Sequence, residues 1–227
     1  MASLLVSQLI TNVSILLQDT TNVRWSQTEL LSWMNDGQRE IALYKPNAFV
    51  KSVAFPLTAG TKQTVPADCV SLIDVVRNLG FSGSTPGRAI RTVSREILDA
   101  QTPYWHTATP TAEVIHFTYT PLDLKHFYVY PPQTGSNQVE IIYVASPTDA
   151  TLTSTITLDD IYITALIDYT LYRAYSKDAE YAANTTLATA YYQNFTALVQ
   201  GKAASEMASN PNQSLGSFNP NVPGSTK

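Results

Sequence analysis

Leu5, Leu9, Val13, Leu16 and Leu17 recur at steps of three and four, the period of one apolar helix face. The polar run Asp19, Thr20, Thr21 and Asn22 ends that first helix. Ser26 followed three residues later by Glu29 has the form of a capping box, so a second helix should begin at Gln27. Leu30, Met34, Gly37, Ile41 and Tyr44 line one side of it, and Pro46 ends it. A helix from Gln27 to Tyr44 would be about 27 Å long. Gly37 inside it costs about 1 kcal/mol relative to Ala, which is either compensated by a close backbone approach of another helix or simply tolerated at the surface.

From Phe49 onward the period shifts toward two. Val53, Phe55 and Leu57 alternate, and a turn at Ala59 and Gly60 leads to Gln63, Val65 and Pro66. Short apolar runs follow at 72–76, 89–93, 114–119, 127–130 and 139–144, several of them separated by breaks such as 80–87 and 131–135. Six or seven strands at this spacing predict a small antiparallel sandwich or barrel, interrupted by one short helix, Arg95 to Asp99, that Ser94 can cap.

Helical spacing returns after Leu158. Asp159 or Asp160 can cap a helix carrying Tyr162, Leu166, Tyr169 and Arg173 on one face. A break at 176–178 separates it from a last helix with Tyr181, Ala188, Tyr192, Phe195 and Val199 in register, expected to end at Gly201 and Lys202. Residues 203–227 are rich in Asn and Pro and carry only Leu215, Phe218 and Val222 as isolated large apolar residues in their last part, too little to fold alone. Extended, such a segment spans about 80 Å and could dock on a neighbour through those three anchors. The predicted class is therefore α+β: a helical bundle built from 1–48 and 158–202, a β-rich domain at 49–157 inserted between them, and an extended or disordered docking tail at 203–227.

Composition narrows the function. Charged residues make up 14% of the 227 and hydrophobic ones 44%, with thirteen tyrosines. Ordinary soluble domains carry about 25% charged residues. A surface poor in charge and rich in Tyr suits a protein covered by neighbours. The net charge of −4 removes the basic footprint of a phosphate-gripping protein. Cys69 is the one cysteine, so a single chain forms no internal disulfide, and a buried thiol is expected. The first ten residues lack the form of a signal peptide, and no apolar run approaches the about 20 residues of a membrane span. Synthesis in a reducing cytoplasm is expected.

Residues that could carry chemistry do not assemble into a motif. His106, His116 and His126 fall ten residues apart, at no metal-ligand spacing. There is no Gly-rich phosphate loop, GxSxG elbow or HExxH. Asp159 and Asp160 stand where a helix needs its cap. Arg88 and Arg91, placed on one face of a strand beside the 80–87 loop, could meet phosphate or an acidic interface. Tyr104, Trp105, Phe127, Tyr128 and Tyr130 could stack on a sugar ring or fill a sandwich core. No catalytic residue, cofactor site or metal site is predicted, and the chain is expected not to be an enzyme. The alternative from another class is a carbohydrate-binding or receptor-binding tail protein.

Several segments together resemble a known family. They are RWSQTELLSWMNDGQREIALYKP (Arg24 to Pro46), QTVPADCVSLIDVVRN (Gln63 to Asn78), GRAIRTVSREILD (Gly87 to Asp99), PYWH (Pro103 to His106), HFYVYPP (His126 to Pro132) and DYTLYRAYSKDAEYA (Asp168 to Ala182). In order and across most of residues 1–200, they resemble the head-to-tail adaptors of short-tailed bacteriophages, also called tail tubular protein A. The chain departs from that pattern at Gly37, where Ala is expected, and in a longer Asn- and Pro-rich tail.

The resemblance implies a structural virion protein at the head-tail junction. It would form a homo-oligomeric ring, commonly a dodecamer, joining the portal protein to the tail nozzle protein and letting DNA pass without specific binding. A ring built head to tail needs two different complementary faces on each subunit. The aromatic residues Trp33, Tyr44, Tyr172 and Tyr175 are candidates for such faces, or for contact with the portal. Arg39, Glu40, Arg173, Lys177, Asp178 and Glu180 supply opposite charges that could set register between subunits or pair within one. Leu215, Phe218 and Val222 complete the candidate contacts.

Overall fold

The computed structural model describes residues 4–178, 180 and 182–208, with the backbone alone for 182 and 203–208. The chain forms two compact units: its two ends, to Lys45 and from Asp149, make one, and Pro46–Thr148 makes the other.

The end-built unit contains helices α1 (Val6–Leu16) and α2 (Gln27–Tyr44). Its other two helices are numbered by chain order as α4 (Ile163–Lys177) and α5 (Ala182–Ala208). The capping box forms as the spacing predicts: the Glu29 amide donates to Ser26 Oγ and the Ser26 amide donates to Glu29, each at 3.3 Å. Leu30, Met34 and Ile41 are fully buried along α2. A Cβ on Gly37 would lie 3.0 Å from Tyr169 Cδ1 and 3.3 Å from Leu166 Cδ2, so the missing methyl makes room for two α4 side chains. Asp159 accepts a bond from the Asp160 amide at 3.1 Å and caps the 3-10 turn that leads into α4.

Two features differ from the sequence expectation. Residues 149–157, counted with the strands, instead lie along α1: Val6 and Ser7 amides donate to Ser154 and Leu152 carbonyls at 3.0 and 3.2 Å, and Ile156 donates to Leu4 at 3.2 Å. The first two of those bonds satisfy helix-start amides that have no partner of their own. The last helix also continues through Gly201 to Ala208. The sequence Lys-Ala-Ala-Ser-Glu-Met-Ala after Gly201 is rich in helix formers, which outweighs the about 1 kcal/mol cost of one Gly. The tail anchors Leu215, Phe218 and Val222 lie outside the described residues.

The second unit holds strands β1 (Val50–Pro56), β2 (Gly60–Thr64) and β3 (Cys69–Gly80). Strand β4 (Arg91–Thr92) and helix α3 (Arg95–Gln101) follow. Strands β5 (His116–Tyr119), β6 (His126–Gln133) and β7 (Gln138–Ala145) complete it. Their order is β1-β7-β3 in one sheet and β2-β6-β5-β4 in the other, antiparallel except for β4 against β5. One core includes side chains of both sheets, among them Leu72, Val75, Phe117, Phe127, Val129, Val139 and Ile141.

The segment before β4 links the sheets. Gly87, Asn78 and Ile90 amides donate to Asn78, Arg88 and Val76 carbonyls at 2.8, 3.0 and 3.0 Å, tying 87–90 to β3, and Val93 then donates to Phe117 of β5 at 2.9 Å. The buried Asn78 side chain secures this crossing, bonding the carbonyls of Arg88 and Val114 and the Val114 amide at 3.0, 2.8 and 2.8 Å. Strand β6 runs through Pro131 and Pro132, where a break was expected, because their carbonyls still serve as acceptors: the Thr111 amide donates to Pro132 at 2.8 Å. Ser94 stands at the N-cap of α3, yet its side chain makes no capping bond. Arg88 falls outside the two-residue β4, and a step of three does not keep one side of a strand. Arg88 and Arg91 do not share a strand face.

Candidate assembly interface

The aromatic residues of the end-built unit form one connected ladder. Tyr44 meets Phe195 edge-on at 6.2 Å between ring centroids, Phe195 meets Tyr169 at 5.1 Å, Tyr169 meets Tyr172 at 5.6 Å, and Tyr172 tilts against Tyr192 at 4.9 Å. Such edge and tilted pairs suit the ring quadrupole. The Tyr44 and Tyr192 hydroxyls are 3.2 Å apart, and Tyr192 lies 3.4 Å from Glu40. The bond with Tyr44, burial and the Glu40 carboxylate together push the Tyr192 hydroxyl well above the usual phenol range. Farther along the same helices, Tyr175 and Tyr191 stack in parallel at 5.7 Å.

The charged candidates pair largely within one subunit. Lys177 donates to Glu29 at 2.6 Å, holding that carboxyl below its ordinary value, and lies 6.0 Å from the Trp33 ring. Asp178 pairs with Arg24, and Arg39 pairs with Asp149 and, at 2.9 Å, with Asp36. Arg173 bonds Tyr169, while Glu180 is exposed. Trp33, Tyr172, Arg173 and Tyr175 are half-buried. The Lys177–Glu29 pair joins α4 to α2, and the exposed position of each ion pair keeps its contribution to about 0–1 kcal/mol.

Residues that the periodicity passes over do much of the positioning. Asn35, buried on α2, takes the Ala150 amide at 2.9 Å, gives its amide to the Ala150 carbonyl at 3.1 Å, and accepts from Gln38 at 2.9 Å. Asp19 accepts three consecutive amides, from Val23, Arg24 and Trp25, at 3.0, 2.8 and 3.0 Å. Those bonds, Trp25's foremost, hold its carboxyl below the usual range. The signal for Asn35 and Gln38 was a pair of amides three apart on the apolar side of a helix. Asp168 has none in the sequence; it is half-buried on α4, and burial pushes its carboxyl up.

The histidines serve different local contacts. His106 stacks on Trp105 at 3.7 Å and bonds Thr61 at 2.8 Å, His116 stacks with Tyr130, and His126 bonds Asp123 at 2.9 Å. Among the described residues no group of three or more His, Cys, Asp or Glu could hold a metal. Trp105 and Phe127 have no exposed surface, so neither ring is available to stack on a sugar. Cys69 is buried, and burial raises its thiol pKa. No helix among the described residues is long and apolar enough to cross a membrane.

The model of the SU10 adaptor protein family matches residues 5–215. The chain belongs to this family. The adaptor's match takes in both ends of the chain and the whole β-rich unit, so it covers helical and strand segments together. This is a family of phage head-to-tail adaptors, structural proteins of the virion. No curated protein matches the adaptor's sequence.

Proposed function

We propose that this chain is the connector between portal and tail nozzle, assembling as a dodecameric ring through which DNA passes without specific binding. The family match over residues 5–215 carries the reading. The net charge of −4 supports it, because every Lys or Arg contact to phosphate adds affinity that a conduit must avoid. The low charged fraction and abundant tyrosine are those of a surface that neighbours cover. Portal attachment is assigned to the C-terminal segment, with Leu215, Phe218 and Val222 as anchors. Trp33, Tyr44, Tyr172 and Tyr175 hold the helices that carry the subunit faces.

The test is to mix purified protein with its portal and inspect the complex by electron microscopy. A ring stacked on the tail-facing end of the portal is expected. A monomer that leaves the portal bare would overturn the reading.

A further inference from the structure

The β-rich unit presents an aromatic side chain at the tip of an ordered loop. Phe81 is 78% exposed, although its carbonyl accepts from Gln138 at 3.3 Å and the loop closes through a Thr85 amide bond to Leu79 at 3.1 Å. Holding the loop in place lowers the ordering cost of using Phe81 as an anchor. Arg88, at the base of that loop beside Asn78, is exposed and makes no ion pair among the described residues.

The end-built unit presents the opposite features. A groove of about 320 Å³ opens between the start of α4 and the later part of α5, walled by Ile161, Tyr162, Ala165, Ala197, Leu198 and Gly201, with Lys202 at its α5 end. A Cβ on Gly201 would meet nothing within 4 Å, and Ile161 and Leu198 are about half exposed, at 51% and 45%. Asp168 stands one α4 turn beyond Ala165. It has no hydrogen-bond or ion-pair partner among the described residues, and burial without an opposing cation disfavours its charge. Among the described residues nothing fills this mostly apolar groove, and Asp168, one turn along α4, has no ion-pair partner.

We infer that the Phe81 loop of one copy docks in the α4–α5 groove of the next, with Phe81 in the apolar part and Arg88 paired to Asp168. Each subunit then offers a knob and a hole on different surfaces, the heterologous contact from which rings close. An aromatic anchor beside an arginine is the composition of an interface hot spot. A second copy is the occupant because the chain itself supplies both complements, in shape and in charge. This inference rests on the ring proposed above.

Association is read by analytical ultracentrifugation and by ring counts on portal. Phe81→Ser and Asp168→Lys should each fold with unchanged far-UV circular dichroism and associate at least about tenfold more weakly. Arg88→Asp combined with Asp168→Lys should recover association that either change alone weakens. Oxidising a Phe81→Cys, Leu198→Cys double variant should give a ladder of linked dimers, trimers and larger species. Rings of normal stability from Phe81→Ser, or a link closed within the monomer, would overturn the docking while leaving the adaptor reading intact. A wild-type chain that forms no ring would overturn both.

Discussion

The end-built and β-rich units solve the same burial problem differently. In the β-rich unit an aliphatic and aromatic core is shared by two sheets, and polar groups such as Asn78 are confined to backbone stitching. In the helical unit the seams between α2, α4 and α5 are lined by tyrosines whose hydroxyls and neighbouring charges reach the surface. The first arrangement gains stability from area removed from water. The second keeps part of its polar and aromatic surface available at the seam, which suits a unit that must meet neighbours.

Three experiments probe that contrast. The largest effect is expected from Phe127→Ala, which empties a fully buried position between the sheets and should cost about 3–5 kcal/mol. Hydrogen exchange read by mass spectrometry should show the lost protection within 46–148, and an equal loss in α2 and α4 would mean that the units do not respond separately. Gly37→Val should cost about 1–3 kcal/mol by overpacking, because Tyr169, fixed in the aromatic ladder, is already 3.0 Å from an added Cβ. Denaturant unfolding measures this; a variant as stable as wild type would show that the seam yields easily.

The smallest effect concerns acid. Glu29 is held low first by Lys177, and Asp68 first by Lys51. Their stabilisation is present above the ordinary carboxylate range and is lost as pH falls from about 4.5 through the lowered folded values. Replacing Lys177 with Met should shrink the acid-dependent loss in the helical unit, and replacing Lys51 with Met should do so in the β-rich unit. Identical acid unfolding curves for the variants and wild type would assign the loss to other carboxylates.

The legible parts of the fold are those written in local pattern. Ser26 and Glu29 mark the start of α2 because a cap is made within one turn, and Pro46 marks its end for an equally local reason. Strand spacing foretold seven strands within the six or seven expected. It did not foretell that 87–90 would pass from one sheet to the other, since that depends on Asn78 reaching Val114, 36 residues away. For the candidate interface, aromatic and charged residue types on α2 and α4 were visible in the sequence. Their partners were not, because Lys177 and Glu29 are 148 residues apart and nothing in the local pattern pairs them.

By itself, then, the sequence determined the α+β class, the positions of the main helices and strands, and the family. Periodicity, capping and motif order act over short separations and survive without the fold. Only the tertiary structure decided that Gly37 accommodates Tyr169 and Leu166, that Trp105 and Phe127 lie wholly inside, and that Asp168 is half-buried with no opposing cation among the described residues. Burial and pairing are properties of segments brought together from far along the chain, so no window of sequence contains them.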